Sequence, residues 1–178
     1  MIRKLMSRFK EAFQDKKGVT LIELLAVVAI LSVAVGGAAI GISLAGSRNA
    51  EQCAREINDG LENARMLSLS RAGYYEFTID CSARTMVLHN RPPGTDTDSS
   101  RNLKRRVNIT LVSDTEDLSS AVRMTVMFDK STGKVKSMTV DGSAYTGDVI
   151  RIHTANEDGT RQADVVLIKN TGKHYVEF

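Results

Sequence analysis

Proline and cysteine are scarce in this sequence, and histidine is almost as rare. The 178 residues include two prolines and two cysteines. So few prolines exclude collagen-like and proline-rich linker proteins, and so few cysteines exclude a small domain held together by many disulfides. The three histidines, His89, His153 and His174, are scattered without metal-ligand spacing. We expect them on surface strands, and we expect no metal site and no cofactor.

Recognisable enzyme motifs are missing as well. Neither the phosphate-binding pattern G-x-x-x-x-G-K-[ST] nor the nucleophile pattern G-x-S-x-G occurs. Serines and aspartates are plentiful, but no sequence pattern pairs them with a base. We therefore expect a protein that is not an enzyme and has no catalytic residues.

The charge is unevenly distributed along the chain. Residues 1–18 hold six basic and two acidic residues, a net charge of +4, whereas the whole chain carries +3. Residues 19–178 therefore carry −1. A general electrostatic attraction of this part of the chain to nucleic acid is correspondingly weak.

A long apolar segment follows the basic start. Residues 24–45 contain no charge and no proline. As a helix these 22 residues extend about 33 Å, which matches a bilayer hydrocarbon core of about 30 Å. Because the basic flank comes first, the segment predicts a single membrane span with the N-terminus in the cytoplasm and the rest outside.

Three kinds of protein carry such a segment. A secretory signal peptide has a shorter apolar stretch of about 7–15 residues, although small residues would permit a cut after Ala45. A plain anchor would not need the carboxylate of Glu23, which is unfavourable in lipid. In a chain cut between Gly18 and Val19, the new α-amino group would lie one helical turn from Glu23 and could pair with it. The simpler explanation is that Glu23 caps the first helical turn.

The residues around this position resemble a known signal. Residues 16–25, KKGVTLIELL, are similar to the type III signal of type IV prepilins and type II secretion pseudopilins. The resemblance implies cleavage after Gly18 by a membrane-embedded prepilin peptidase, with methylation of the new N-terminus at Val19. It also implies that Glu23 acts in methylation and in aligning subunits during assembly. The first residue after the cut is usually phenylalanine in that family, and the 18-residue leader is longer than in many members.

The same resemblance implies partners and a location. The partners are prepilin peptidase, other pilin or pseudopilin subunits, and an assembly platform in the cytoplasmic (inner) membrane. The subunit would first lie in that membrane with its C-terminal domain outside, and would then enter an extracytoplasmic filament.

Glycines replace the proline that is often found midway along the first helix of that family. Gly37 and Gly41 have the spacing of small residues that lets transmembrane helices approach closely. Glycine is also common in membrane helices in general, so a packing role and a neutral role both stay open.

The segment after the apolar stretch predicts an amphipathic helix. Small and apolar residues recur every three to four positions over 47–72, with charged residues between them, and Gly73 is a suitable stop. No proline separates the two segments, so a single helix over about 20–72 is plausible. The apolar stripe consists of Ala50, Cys53, Ala54, Ile57, Leu61, Ala64 and either Leu67 or Ser68.

Beyond Gly73 the apolar period changes from helical to alternating. Short alternating runs are separated by turn residues, which predicts an antiparallel β-sheet region. One face of this region would pack on the helix, and the other would be solvated or packed on a second sheet. The expected strands lie near 75–79, 86–88, 107–111, 122–128, 135–140, 150–152 and 165–168.

The longest expected loop is 90–106, which contains both prolines and shows no apolar period. It carries a dense basic cluster whose side chains could contact phosphates and give weak, salt-sensitive DNA binding. The alternative is a solvated loop in which Asp96 and Asp98 offset part of the charge. The cluster consists of Arg101, Lys104, Arg105 and Arg106.

The two cysteines fall outside the predicted membrane segment. Cys53 lies on the helix stripe and Cys81 follows the first strand. A disulfide between them would close a loop of about 28 residues and stabilise the fold by about 2–4 kcal/mol. The alternative is two small buried thiols, and the sequence leaves both open.

Parts of the C-terminal region resemble the H-type (GspH/FimT) minor pseudopilins. The similar residues are 64–70, Phe128 with 133–135, and 170–173. This resemblance implies a long N-terminal helix that packs under two β-sheets. A major pilin or another minor pilin stays an alternative.

Together these patterns predict an α+β, pilin-like protein. A long N-terminal helix, with a transmembrane first half and an amphipathic second half, would pack on a C-terminal antiparallel β-sheet domain. The expected parts are a cleaved leader (1–18), an assembly helix (19–46), its amphipathic continuation (47–73) and a β-rich domain (74–178).

The expected function is that of a minor pilin or pseudopilin in a type IV pilus or a type II secretion pseudopilus. One alternative is a DNA-binding minor pilin of a competence pilus. Another is a plain membrane-anchored binding domain whose leader is never removed.

Overall fold

A computed structural model of the protein describes residues 21–33, 48–70, 74–91, 97–103 and 106–178. These residues belong to two compact units. The first contains helix α1, residues 21–33. The second contains helix α2, Asn49–Ser70, and all ten strands of the described chain.

Helix α1 is apolar on every side. Its nine large apolar side chains are between 51% and 82% exposed. Ser32 turns its hydroxyl back onto the helix and donates to the carbonyl of Val28 at 2.7 Å, so this polar group is satisfied locally. Within the ranges that the structure describes, no helix is both long and apolar enough to cross a membrane. The second half of the predicted span, 34–45, lies outside the described residues.

Helix α2 is amphipathic, as its sequence period predicts. The predicted stripe is buried from Ala50 to Ala64, and Ser68 rather than Leu67 completes it. The Ser68 hydroxyl donates to the carbonyl of Ala64 at 2.8 Å. This contact explains how a serine fits on a buried face, since its only donor is used within the helix.

The strands form two antiparallel sheets. Sheet A has the order β3-β2-β1-β5-β6-β7, and sheet B has the order β10-β9-β8-β4. The chain therefore passes from sheet A to sheet B after β3, returns after β4, and crosses again after β7. The strands are β1 (Tyr74–Asp80), β2 (Thr85–Arg91), β3 (Thr97–Asn102), β4 (Val107–Ser113), β5 (Arg123–Phe128), β6 (Val135–Val140), β7 (Ser143–Ala144), β8 (Val149–Asn156), β9 (Gln162–Ile168) and β10 (Lys173–Glu177).

Helix α2 packs against both sheets, and the core lies between them. Leu61 of the helix, Phe77 of sheet A and Val165 of sheet B are each at most 1% exposed and belong to one apolar cluster. Gly60 permits a close approach of the helix to sheet A, since a β-carbon there would lie 2.7 Å from the Phe77 ring. The faces turned away from the helix carry partly or fully exposed polar side chains, such as Thr78 on sheet A and Thr110 on sheet B, which corresponds to the solvated alternative for the second face.

The prediction of one long loop over 90–106 is wrong in part. Strand β2 continues to Arg91, and β3 occupies Thr97–Asn102. All six residues of β3 are exposed. An edge strand with no buried side has no apolar alternation, so the pattern that identifies half-buried strands could not find it.

Candidate functional site: helix α1 and the anchorage of helix α2

Glu23 is the single charged residue of helix α1, and its neighbours are apolar. Leu21, Ile22, Leu24 and Leu25 are all at least 60% exposed around it. A helix that is apolar all round is stable in lipid or among other apolar helices. In either setting a carboxylate needs a cationic or hydrogen-bonding partner. Helix α1 therefore has the properties of an apolar contact surface that carries a single charged group.

The other predicted assembly residues cannot be placed. Gly18 and Val19, the predicted cleavage and methylation site, lie outside the described residues, as do Gly37 and Gly41. Their roles stay predictions.

The start of helix α2 is held by sheet B. The backbone N–H of Ala50 donates to Asn156 Oδ1 at 3.0 Å, and the Thr154 hydroxyl donates to the Ala50 carbonyl at 3.1 Å. Both side chains are at least 95% buried. Arg161, which is exposed on the β8–β9 hairpin, forms a salt bridge with Glu51 of the helix at 3.1 Å. Because the first N–H groups of a helix lack helical partners, Asn156 fixes the point where α2 begins.

The sequence pattern does not reveal this capping role of Asn156. The chain turns directly after it, where the N–H of Gly159 donates to the Asn156 carbonyl at 2.9 Å. The cap joins residues 106 positions apart. A contact at that separation has no local pattern by which it could be recognised.

Two turns, one from each sheet, meet beside the last part of helix α2. Gly133 and Gly172 of these turns, together with Arg65 of the helix, form a contact that we call the glycine joint. A β-carbon at Gly172 would collide with the carbonyl oxygen of Gly133. That oxygen accepts a hydrogen bond from Arg65 Nε at 3.1 Å. Both glycines also have φ near +67°, which favours glycine. The segments 133–135 and 170–173 thus meet at one structural point.

His174 is not a surface residue, and that expectation is wrong. Its side chain is 2% exposed, and its Nε2 lies 3.0 Å from a carboxylate oxygen of Glu62 on helix α2. Its Nδ1 lies 3.1 Å from the Gly172 carbonyl. The helix covers the edge strand β10 here, which alternation alone does not reveal. His89 and His153 are partly exposed, and each contacts an aspartate of the neighbouring strand.

Cys53 and Cys81 are both buried, and the structure carries them as thiols. Burial, and then the nearby charges of Asp80 and Asp141, raise the pKa of Cys81 to about 12. Cys53 contributes in the same direction. The Cys81 thiol is therefore protonated at neutral pH and a poor nucleophile. The proposed disulfide stays a prediction.

The basic cluster is only partly described. Arg101 on β3 and Arg106 before β4 are exposed, whereas Lys104 and Arg105 lie outside the described residues. Arg101 lies on the inner side of sheet A, opposite Met86 of β2. It lines a groove beside helix α2. The four residues therefore cannot be placed on one common surface, and DNA contact stays a prediction.

Comparison with known proteins gives one match. Residues 14–39 match a family model described as the prokaryotic N-terminal methylation motif. No curated protein and no solved structure matches the chain. The matched segment includes Gly18, Val19 and Glu23, and it supports a pilin or pseudopilin subunit role in general.

Proposed function

We propose that this protein is a minor pilin or pseudopilin, which prepilin peptidase processes and which assembles through its N-terminal helix. The observation that carries the proposal is the methylation-motif match over residues 14–39. Processing by prepilin peptidase and assembly with other pilins follow from a motif of this type.

The exposure of helix α1, which lies within the matched segment, supports the same proposal. Its large apolar side chains are exposed on all sides, and each would be stabilised by transfer out of water. In the membrane, lipid would cover them. In a filament, the apolar helices of neighbouring subunits would cover them instead, which limits the net cost of leaving the bilayer. The domain held by α2 would then lie outside the membrane.

Glu23 would set the register between subunits. Cleavage after Gly18 would place a new α-amino group at Val19. In an apolar filament core, the Glu23 carboxylate would pair with the amino group of a neighbouring subunit. Only one axial position would satisfy both groups, so the pair would favour one register.

An intact-mass measurement tests the proposal. The full chain would be expressed with and without a prepilin peptidase, extracted from the membrane and weighed. We expect loss of residues 1–18 and gain of one methyl group when the peptidase is present. A Gly18→Leu variant, which alters the residue before the cut, should keep its full length.

The contrary outcomes are distinct. A full-length mass, under conditions that process a control prepilin, would leave a membrane-anchored binding domain and remove the assembly mechanism. A cut near Ala45 would instead indicate a secreted protein.

The H-type assignment is supported by the motif segments that meet at the glycine joint and by the two sheets over one helix. A DNA-binding role is supported only by the sequence cluster around Arg101, so we keep it as the alternative.

A further inference from the structure

A groove lies between helix α2 and the β2–β3 edge of sheet A. Its floor is apolar and consists of Phe77, Met86 and Leu88. Its volume is about 330 Å³. Asp59 and Asn63 of the helix form one rim, and Ser99 and Arg101 of β3 form the other. Phe77 and Met86 are buried, and Leu88 is the partly exposed residue of this floor.

The rows of side chains across the inner face of sheet A show which positions a further strand beside β3 would fill. Phe77, Leu88 and Ser99 are direct neighbours across β1, β2 and β3 on the inner face. This row changes from large and apolar to small and polar at β3. A further strand beside β3 would add the next residue of the row. Because Ser99 is short, an apolar side chain at that position could reach over it onto the groove floor.

The adjacent row carries charge. Met86 is opposite Arg101 on the inner face. Arg101 is exposed, and it forms no ion pair with any residue that the structure describes. Across neighbouring strands, opposite charges that face each other are favourable. A strand added here would therefore be matched by an acidic residue opposite Arg101.

The third row contains an unsatisfied polar group on β2, one strand in from the edge. Asn90 lies on the same face of β2 as Leu88, opposite Thr97 of β3. Its Oδ1 is buried and accepts no hydrogen bond from the described residues. Buried acceptors are normally satisfied in folded proteins.

The open edge of β3 supplies the backbone partner. Among the described strands, β3 pairs with β2 alone, so it forms one edge of sheet A. A fully exposed edge strand presents unpaired N–H and C=O groups and is a template for a further strand.

We propose that the β3 edge and this groove form a docking site for an extended, acidic segment of another protein chain, which adds to sheet A as a seventh strand. Its inward side chains alternate, with an apolar residue beside Ser99 and an acidic residue beside Arg101. This site does not depend on the assembly role of helix α1, since none of its residues belongs to that helix.

A peptide-binding experiment tests the site on the full chain in an uncharged detergent. The probe is a blocked, fluorescently labelled peptide of seven residues, Val-Thr-Glu-Thr-Val-Thr-Glu, in which the residues of one strand face alternate between valine and glutamate. Fluorescence anisotropy would compare it with a valine–lysine peptide and with a valine–glutamate peptide methylated at alternate backbone nitrogens. We expect saturable binding of the first peptide, at least about tenfold tighter than either of the others.

Two serine variants separate the groove from the rest of the strand. Ser99→Trp would fill the groove and should weaken peptide binding at least about tenfold. Ser100→Trp is the matched control, because Ser100 lies on the other face of β3, opposite Val87. It should change binding less than about threefold. Circular dichroism would confirm that both variants are folded.

Arg101→Glu tests the charge. This variant should bind the lysine peptide more tightly than the glutamate peptide, a reversal that loss of fold would not produce. The proposal would be overturned by absence of saturable binding to the folded wild-type chain. Equal losses in the two serine variants, or an unchanged charge preference in Arg101→Glu, would also overturn it.

Discussion

The two helices of this protein differ in how their apolar side chains are covered. Helix α2 has a single apolar stripe, and the domain buries it completely, down to 0% exposure at Ile57 and Leu61. Helix α1 has apolar residues on all sides, and each large one is at least half exposed. The apolar side of helix α2 is thus covered by its own chain, whereas helix α1 requires lipid or other helices. The difference teaches that one chain can contain both a domain with a buried apolar core and a helix whose apolar surface is still available for contact.

The largest expected effect concerns the one charge on helix α1. Replacing Glu23 by Ala removes the carboxylate that would pair with the N-terminus of a neighbouring subunit. We expect incorporation into filaments to fall by about tenfold or more, since an unpaired buried charge costs several kcal/mol. Immunoblotting of sheared filament fractions would measure it.

A second variant on the same helix serves as the control. Ser32→Ala removes a hydroxyl that bonds to its own helix, and it should assemble normally. If Glu23→Ala subunits assembled as well as Ser32→Ala subunits, the register mechanism would be untenable.

A matched pair of leucine substitutions tests whether the two helices contribute differently to the stability of the domain. Leu61→Ala in α2 opens a cavity in the core and should lower the free energy of unfolding of the domain by about 2–5 kcal/mol. Leu25→Ala in α1 removes the same atoms from an exposed position, 65% accessible. It should change that free energy by less than about 0.5 kcal/mol. Urea denaturation of the full chain in mild detergent, followed by circular dichroism, would measure both. Similar losses would mean that α1 contributes to the domain fold.

The sequence predicts the buried stripe of α2 well because one-sided burial imposes a period on it. Sidedness also identifies the half-buried strands, such as β8, where every second residue is buried. Strand β3 escapes this reasoning since neither of its faces is buried. What can be predicted locally is therefore burial on one side, and an exposed edge leaves no such trace.

The residues of the candidate site also divide into those that a local sequence pattern reveals and those that it does not. Glu23 is recognisable from sequence because a carboxylate in an apolar run is unusual. Asn156 and His174 are not recognisable, because their partners lie on helix α2, more than 100 residues earlier in the chain. Contacts of this kind depend on how the sheets are folded onto the helix.

The anchorage of α2 sharpens the comparison at the point where that helix begins. Asn156→Ala removes the acceptor for the Ala50 N–H and leaves that donor buried. We expect the free energy of unfolding to fall by about 1–3 kcal/mol, as measured by urea denaturation. Asn170→Ala, which removes an exposed contact with Asp148, should cost less than about 0.5 kcal/mol. Equal effects of the two variants would remove Asn156 from its anchoring role.

The smallest expected effect is that of acid, and it should act on the domain that holds α2. The hydrogen bond from the Ala83 backbone lowers the pKa of Asp80, and Ser82 and Arg123 act in the same direction. A carboxyl group whose pKa is lower in the folded state stabilises the fold above its unfolded value of about 3.9. That contribution is lost as the pH falls toward the folded pKa.

Asp80→Asn should therefore have a lower Tm than the wild type at pH 7 and lose less Tm between pH 7 and pH 3, by about 1–3 °C. Ser82→Ala removes one of the hydrogen bonds but keeps the charge, so its pH dependence should lie between the two. If wild type and Asp80→Asn lost the same Tm on acidification, the turn at Asp80 would not link this domain to pH.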